Sequence, residues 1–365
     1  MKQGWEIKKI KDICEKASSN IAQNKITSLD GDYPVYGASG FVQNVDFYHR
    51  DTEYIGIVKD GSGVGRVNIY PAYSSLLGTL QYIIPKQGYS LNFVAYALKS
   101  LKLADFASGA AIPHIYFKDY GEVAISVPSL AEQERIVEVL DREFERIDAM
   151  KANAEQNLQH AKDLFQAALR QELQPKEGWT ISELRGVCTF YNGKPHENNI
   201  DKEGKYILVN SKFIASDMQI YKRTSAQLFP LYRNDIVMVM SDVPNGKALG
   251  KCQIICEDGV YSLNQRICAF RNSKIDVKLL YYLINRNPYL IAFDNGENQT
   301  NLRKNDIITM PIHYPIKPQD VASLIERLDS LRDSCILLEE NYKKTIALCD
   351  DMKQALLRKA FNGEL

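Results

Sequence analysis

The first residues whose type and spacing suggest chemistry are Gly61, Gly63 and Gly65. They follow the apolar run Tyr54–Val58, in the order that begins a dinucleotide-binding unit. Such a loop binds phosphates when it opens onto a helix, because the helix N-terminus supplies free N–H groups and a favourable dipole. Here the alternating residues Val67–Tyr70 follow instead, and they predict a second strand. The stretch therefore predicts a hairpin whose glycines supply positive φ at the tip.

No other set of residues forms a catalytic constellation. The five histidines are scattered, and the sequence has no Walker motif, no H-E-x-x-H pair and no known serine or cysteine nucleophile motif. Cys252 and Cys256 are the only close cysteine pair, and without a second pair nearby they predict buried strand thiols rather than a zinc site. The NPY at residues 287–289 lies in a helix-like apolar run and is interpreted as a helix break. The sequence thus favours binding over catalysis, with no metal.

Length and composition indicate an ordinary globular chain of about two domains. The chain has 365 residues, of which 45% are hydrophobic and 25% charged. It has no apolar run of about 18 residues and no apolar signal region near its start, so we expect a cytoplasmic protein without a membrane span. Seven scattered cysteines agree with reduced thiols.

An internal repeat organises the chain. GWEIKKIKDIC from Gly4 and GWTISELRGVC from Gly178 match, and the later stretches around Gly109 and Gly296 match as well. The glycine hairpin has a counterpart in DIVMVMSDVPNGKALGKCQII, but the tips KDGSGVGR and SDVPNGKALGK differ. Similar scaffolds with unlike tips indicate two related domains that recognise different things. The further strand-like runs are residues 80–84, 206–209, 235–240, 251–255 and 267–270.

Each half ends in a long helical segment with an apolar seam. The spacing of the seam residues alternates between four and three, and a 3.5-residue period is what two helices need to supercoil together. Separate packing of each helix on its own domain is the alternative. Because a twofold can exchange the two halves only if the helices run antiparallel, we expect an antiparallel pair with a domain at each end. The seam residues are Ile147, Leu158, Phe165, Leu331, Leu338, Met352 and Leu356.

The predicted fold class is therefore α+β: two pseudo-repeated strand-rich domains joined by two long antiparallel coiled-coil helices. The domains are 1–131 and 178–318, and the helices are 132–177 and 319–365. The net charges of the four segments in chain order are +1, −4, +5 and −2. The strand-rich domains are thus neutral to basic, where a nucleic-acid-binding face would lie.

This organisation resembles the specificity subunit of type I restriction–modification enzymes. The resemblance covers essentially the whole chain and depends on the paired openings, on GENQTNLRKNDI before MPIHYP, on VPSLAEQERIVEVLD and on the ending ALLRKAFNGEL. The first half departs from the pattern with GAAIPHI where the second has GENQTNL. The second half has IKPQDVASL where the first has LAEQERIVEV. Both departures weaken the transfer of individual residues.

The resemblance implies a protein without an activity of its own. Each strand-rich domain would be a target-recognition domain that reads one half of a bipartite, asymmetric double-stranded DNA sequence. The helices would space the domains and carry two methyltransferase subunits, which methylate adenine N6 with S-adenosylmethionine, and motor-nuclease subunits would join for restriction. This chain would bind no cofactor, and its hairpin glycines would let the backbone approach DNA. A duplicated β-domain module for a protein or carbohydrate ligand, or a fused enzyme, are the alternatives.

Candidate DNA-binding residues are the amides, hydroxyls and cations suited to base edges and phosphates. NQTNLRKND is the best single cluster, because it combines amides with cations. In the first domain the candidates are Lys59, Ser62, Arg66, His114 and Tyr116; in the second they are Lys194, Lys212, Lys247, Gln265, Arg266, Asn301, Arg303 and Lys304.

The first long helix predicts the form of the DNA site. A helix from about Glu132 to Leu173 would be roughly 60 Å long at 1.5 Å per residue. Two domains that read the same groove from one side of the duplex need centres about one helical turn apart, or about 34 Å. We therefore expect two short, unrelated half-sites separated by a fixed, unspecified spacer.

Overall fold

The protein, described here by a computed structural model for residues 4–109 and 112–365, divides into two compact units. One unit contains the chain up to Leu158 together with Glu340–Leu365, and the other contains Gln159–Glu339. Part of the first-half stretch GAAIPHI lies outside the described residues.

The first unit is built on a four-stranded sheet of order β2-β8-β5-β6, with a three-stranded sheet β4-β3-β7 and the pair β1-β9. Its core is formed by residues of β5, β8 and α3 together with the start of α5 and the end of the last helix. A 3₁₀ turn covers Leu103–Phe106. The elements are β1 (Glu6–Lys9), α1 (Ile10–Ile13), β2 (Cys14–Ser18), α2 (Gln23–Ile26), β3 (Tyr33–Gly37), β4 (Gly40–Val45), β5 (Tyr54–Val58), β6 (Val67–Tyr70), β7 (Ser75–Leu76), β8 (Leu80–Pro85), α3 (Leu91–Ser100), α4 (Phe117–Tyr120), β9 (Ala124–Val127) and α5 (Leu130–Glu172).

The second unit repeats this plan. Its sheets are β11-β18-β14-β16, β13-β12-β17, β10-β20 and the short ribbon β15-β19. A 3₁₀ turn covers Glu197–Asn199. The elements are β10 (Trp179–Glu183), α6 (Leu184–Val187), β11 (Thr189–Asn192), β12 (Tyr206–Val209), α7 (Ser211–Ala215), β13 (Lys222–Thr224), β14 (Ile236–Val239), β15 (Ser241–Asp242), β16 (Cys252–Ile254), β17 (Tyr261–Leu263), β18 (Ile267–Arg271), α8 (Val277–Ile284), α9 (Pro288–Ile291), β19 (Thr300–Asn301), α10 (Lys304–Ile308), β20 (Pro311–Pro315) and α11 (Pro318–Phe361).

The repeat and the hairpin prediction are confirmed by strand pairing. β5 and β6 pair antiparallel from Tyr54↔Tyr70 to Ile57↔Val67, and β14 pairs with β16 in the same way. Each three-stranded sheet also contains one parallel pair, β3 with β7 and β12 with β17. The predicted helix break at NPY is confirmed. The helix α8 ends at Ile284, and the next helix, α9, is capped by the Asn287 side chain, which accepts from the Tyr289 N–H at 2.9 Å.

The long helices confirm the predicted α+β class and run antiparallel where they pair in the first unit. There Lys151 of α5 binds Asp350 of α11 at 2.7 Å, and Asp148 binds Lys353 at 2.5 Å. As the residue number rises along α5, the number of its partner in α11 falls, so the two helices run in opposite directions here. In the second unit Arg327 of α11 binds Glu172 at 3.1 Å.

The predicted seam is right only in part. Ile147 is buried, but Leu338 is 38% exposed and Met352 is 45% exposed, so these two positions are wrong. Leu158, Phe165, Leu331 and Leu356 are half-buried. The reason is what covers the helix. Leu328, Cys335 and Cys349 are buried and lie 7 and 14 residues apart, so the neighbouring elements cover this row of the predicted seam and leave the row that contains Leu338 and Met352 exposed. Both ends of α11 pack into a unit core as well as beside α5.

The cysteine prediction is half right. Cys252 is buried in β16, and burial raises its thiol pKa well above the usual value. Cys256 is exposed because β16 ends at Ile254, two residues earlier. Within residues 4–109 and 112–365 no group of histidine, cysteine and carboxylate side chains could hold a metal ion. Among the same residues, none of the helices has the length and apolarity needed to cross a membrane.

Candidate nucleic-acid interface

One backbone arrangement positions the candidate residues of the first unit. The Ile115 N–H donates to the Lys59 carbonyl at 3.0 Å, and the Lys59 N–H donates to the Thr79 carbonyl at 3.0 Å. These two bonds join the end of β5, the turn before β8 and the segment before α4. They place Asp60 in a bridge opposite His114.

The second unit has the same arrangement. The Leu302 N–H donates to the Met240 carbonyl at 2.8 Å, and the Met240 N–H donates to the Arg266 carbonyl at 3.2 Å. Ser241 then pairs with Asn301 in the ribbon β15-β19. The end of β14, the turn before β18 and the segment before α10 are therefore joined as their counterparts are in the first unit.

We call the surface around Asp60 and His114 the first face, and the surface around Ser241 and Asn301 the second face. The correspondence of the two backbone arrangements shows how these faces differ. Thr79 occupies the position of Arg266, and His114 occupies that of Asn301. The neighbour Gly78 occupies the position of Gln265. The first unit thus carries the small residues Gly78 and Thr79 where the second carries long polar side chains, and it carries an imidazole in place of the Asn301 amide.

The first face brings three of the candidates together around Asp60. The Asp60 carboxylate binds Lys59 Nζ at 3.2 Å and also contacts His114 Nδ1. The His114 and Tyr116 rings lie 4.1 Å apart, and Lys118 Nζ is 5.2 Å from the Tyr116 ring centre. The result is a compact group of cations and aromatic rings whose one carboxylate neutralises part of the charge. A phosphate could replace Asp60 as the acceptor for these donors.

Ser62 and Arg66 lie exposed on the glycine tip. The Arg66 guanidinium donates to the Ala38 carbonyl at 3.3 Å, which directs it toward the β3–β4 turn. At Gly65, φ is +84° and a Cβ would collide with the backbone of Ala104. The prediction that the glycines serve the approach of DNA is therefore wrong at Gly65, where the neighbour is the protein itself. A Cβ on Gly61, by contrast, would meet no other atom within 4 Å.

The second face gathers Lys194, Gln265, Arg266 and Asn301. Lys194 forms a bridge with Asn264, next to Gln265, whose Nε2 donates to Glu197 Oε1 at 2.7 Å. Arg266 is exposed and is joined through Met240 to the ribbon that carries Asn301. The backbone segments that carry these residues are therefore linked to one another.

The other candidates of this unit lie outside that contact network in the described part of the chain. Lys304 is 5.7 Å from the Phe190 ring centre, beside β11. Arg303 is exposed, and its N–H donates to Asp306 at 2.9 Å at the start of α10. Lys247 lies on the loop after β15, and Lys212 lies in α7.

Two residues near Asn301 were missed by sequence reasoning. Gln299 Nε2 donates to Ser241 Oγ at 2.7 Å and to Asn301 Oδ1 at 3.4 Å. Gln299 belongs to the cluster NQTNLRKND and could have been chosen from it. Ser241 could not, because its role depends on the pairing of two strands far apart in sequence.

The comparisons agree with this picture. The family model for the type I restriction modification DNA specificity domain matches residues 2–160 and 176–348. The type I restriction enzyme EcoDI specificity subunit of Escherichia coli is 26% identical over 397 residues, covering 96% of this chain and 85% of its own length.

Two solved structures share the fold. A chain from a structural study of complex assembly and conformational transition in the type I restriction–modification system has a TM-score of 0.76 at 18% identity, covering 100% of this chain and 99% of its own. The HsdS subunit from Thermoanaerobacter tengcongensis has a TM-score of 0.56 at 17% identity, covering 100% and 98%. Since the family model covers both repeats and most of the sequence, the chain belongs to the type I restriction–modification DNA specificity family, as a specificity subunit and not a catalytic one.

Proposed function

We propose that this chain reads a bipartite, asymmetric double-stranded DNA sequence, with one half-site for each unit. The observation that carries the proposal is the repeated backbone frame with unlike side chains. A shared frame presents both faces to the same kind of ligand, and the exchange of Gly78 and Thr79 for Gln265 and Arg266 changes what each face can bind. Two different half-sites follow from it.

The chemistry of the second face supports DNA as the ligand. A two-stranded β-ribbon fits the major groove, where amides and guanidinium groups distinguish base edges. The ribbon β15-β19 carries such an amide in Asn301, and the Arg266 carbonyl accepts from the Met240 N–H directly before β15. The segment 178–318 also has a net charge of +5, which favours a polyanion.

We further propose that two methyltransferase subunits bind the chain, one near each repeat, and methylate adenine N6. S-adenosylmethionine would be held by those subunits, and motor-nuclease subunits would join for restriction. Glu138, Glu145 and Glu155 are exposed on α5 and available to a partner surface. Asp148, another carboxylate of α5, pairs with Lys353 of α11.

The test is to express the full chain with its methyltransferase partner and map modified adenines across the genome. We expect two unrelated half-sites with a fixed spacer. Replacing Gln265 and Arg266 by Gly and Thr, their first-unit counterparts, should change only one half-site. Lys274→Thr is the matched control, because this exposed lysine follows the opposite end of β18. A continuous recognition sequence, or failure to co-purify with any methyltransferase, would contradict the proposal.

A further inference from the structure

Three polar side chains form a hydrogen-bonded group on the exposed ribbon of the second unit. Ser241 and Asn301 are directly paired across β15-β19, and Gln299 precedes β19. Gln299 Nε2 donates to Ser241 Oγ at 2.7 Å and to Asn301 Oδ1 at 3.4 Å. Gln299 and Asn301 are exposed to solvent.

The surrounding loop holds this group in place. Thr300 is only 8% exposed, and its hydroxyl donates to Asp294 Oδ1 at 3.2 Å. The same Asp294 oxygen accepts from the Gly296 N–H at 3.0 Å, and Asn245 Nδ2 donates to the Gly296 carbonyl at 3.2 Å. Hydrogen bonds therefore hold the chain on both sides of Gln299, which limits the positions that its side-chain amide can reach.

The internal bonds determine which atoms remain for a ligand. An amide nitrogen has two hydrogens, and both hydrogens of Gln299 Nε2 are used within the group. Gln299 therefore offers its Oε1 as an acceptor but has no donor left. Asn301 has one oxygen lone pair engaged and offers its Nδ2 as a donor. Gln299 alone cannot make the two-bond contact of a free amide, whereas Asn301 keeps one Oδ1 lone pair as well as its Nδ2 hydrogens. The two residues together present the Gln299 Oε1 acceptor beside the Asn301 Nδ2 donor.

This pattern matches one base in the major groove. Adenine presents the N6 amino donor beside the N7 acceptor, whereas guanine presents two acceptors, O6 and N7. Gln299 Oε1 would accept from adenine N6 but would face guanine O6 with lone pair against lone pair. Asn301 Nδ2 would donate to N7 of either purine. The arrangement therefore selects adenine through Gln299.

Building on the proposed DNA-reading function, we propose that Gln299 and Asn301 jointly read one adenine of the half-site bound by the second unit. Ser241 is a positioning residue that fixes the Gln299 amide. In the described part of the first unit this group has no counterpart, because Ile112, which is 67% exposed, occupies the position of Gln299. The first half-site is thus read without an amide pair at this place.

The test uses the full chain purified with its methyltransferase partner and 30-base-pair duplexes containing the wild-type recognition sequence. At each adenine of the second half-site in turn, one duplex carries 7-deazaadenine, which lacks N7, and another carries purine, which lacks the N6 amino group. At one adenine we expect each replacement to weaken binding by about tenfold, the range of a base-specific hydrogen-bond contact.

The variants assign each contact. Asn301→Ala should abolish the 7-deazaadenine penalty and retain the purine penalty, whereas Gln299→Met should do the reverse. Ser241→Ala should reduce both penalties, and Ser241→Thr, which keeps the hydroxyl, should restore them. None of these changes alters a charge, so the slope of log Kd against log salt should stay constant. Lys274→Thr, the control introduced above, should leave both penalties unchanged.

Several results would overturn the inference while leaving the proposed function intact. These are sequence-specific binding with no penalty at any adenine of the second half-site, or penalties that are the same in wild type and Asn301→Ala. If Asn301→Ala does not fold, the isosteric Asn301→Asp serves instead: it exchanges the donor for an acceptor that opposes N7 of either purine, so it should weaken binding and abolish the 7-deazaadenine penalty while the purine penalty remains. Binding that does not depend on sequence at all would contradict the proposed function itself.

Discussion

The glycine tip of the first unit allows a sharp test, because two of its glycines share a backbone conformation but differ in their surroundings. Gly61 has φ +79° and Gly65 has φ +84°. A Cβ on Gly61 would meet nothing within 4 Å, whereas on Gly65 it would meet Ala104 N and, at 2.8 Å, the carbonyl carbon of Leu103. Alanine at each position therefore separates the cost of the conformation from the cost of the collision.

The magnitudes follow from these two terms. An L-residue in the left-handed region costs roughly 1–2 kcal/mol. Forcing a methyl group into a packed site costs about 1–3 kcal/mol more. Gly61→Ala should thus lower the free energy of unfolding of the first unit by about 1–2 kcal/mol, and Gly65→Ala by about 2–5 kcal/mol. The second value is a large share of the roughly 5–15 kcal/mol that stabilises a domain.

The assay is thermal and urea unfolding of both variants, combined with hydrogen exchange. Exchange is needed because a chain of two units need not unfold in one step. The Gly65 N–H donates to the Val58 carbonyl at 2.8 Å and the Val58 N–H to the Arg66 carbonyl at 3.0 Å, so these amides report on the tip. Protection there should fall further in Gly65→Ala than in Gly61→Ala. Equal losses in the two variants would refute the argument that Gly65 is required by internal packing.

Two further predictions concern ion pairs of the second unit. Asp235 is 2% exposed, and its carboxylate accepts from Arg271 Nε at 2.9 Å and Nη2 at 2.7 Å. Because Asp235→Ala leaves this guanidinium without its carboxylate partner, the variant should lower the free energy of unfolding in urea by about 3–5 kcal/mol. A decrease below about 1 kcal/mol would contradict this. The Arg327 side chain, which donates to the Glu172 carboxylate, holds the pKa of that carboxyl below its usual range. This stabilisation is present above the unfolded-state pKa of about 4.3 and disappears as the pH falls through the lower folded-state pKa. The urea midpoints of wild type and Glu172→Gln should therefore differ at pH 6 and converge toward pH 3, and a constant difference would count against the assignment.

Local sequence patterns predicted most of the fold because strands and hairpins depend on neighbouring residues. The alternation from Val67 to Tyr70 and the missing helix after the glycines were enough to distinguish a hairpin from a cofactor loop. The same patterns, repeated in the second half, led to its counterpart β14-β16. Charged and amide residues also indicated the face of each unit that carries the candidates.

The contacts that patterns could not predict all join residues distant in sequence. The reason for glycine at position 65 is the backbone of Ala104, and the importance of Ser241 comes from strand pairing with Asn301. The exposed Leu338 shows the same limit in a helix, because a heptad count identifies the apolar stripe but not which of its residues a neighbouring element covers. Spacing alone predicts which residues share an element, but the elements that pack against it decide which of them are buried.

The long helices provide a test of the bipartite target. α5 has 43 residues, which corresponds to about 64 Å at 1.5 Å per residue. Deleting one heptad from α5 and one from α11 shortens each helix by about 10 Å and rotates its faces by only about 20°. If the helices set the distance between the half-sites, the spacer should become shorter by up to about three base pairs at 34 Å per turn of about 10 base pairs.

Both half-site sequences should remain unchanged in that variant, because the faces that read them are not altered. A five-residue deletion from each helix is the matched control. It removes a similar length but rotates the faces by about 140°, so modification should be lost although the methyltransferase still co-purifies. Mapping of modified adenines in cells that carry each variant decides the question. A heptad variant that modifies the original target with its original spacer would show that the helices do not determine the distance, and the two units would then have to be fixed relative to DNA by the partner subunits.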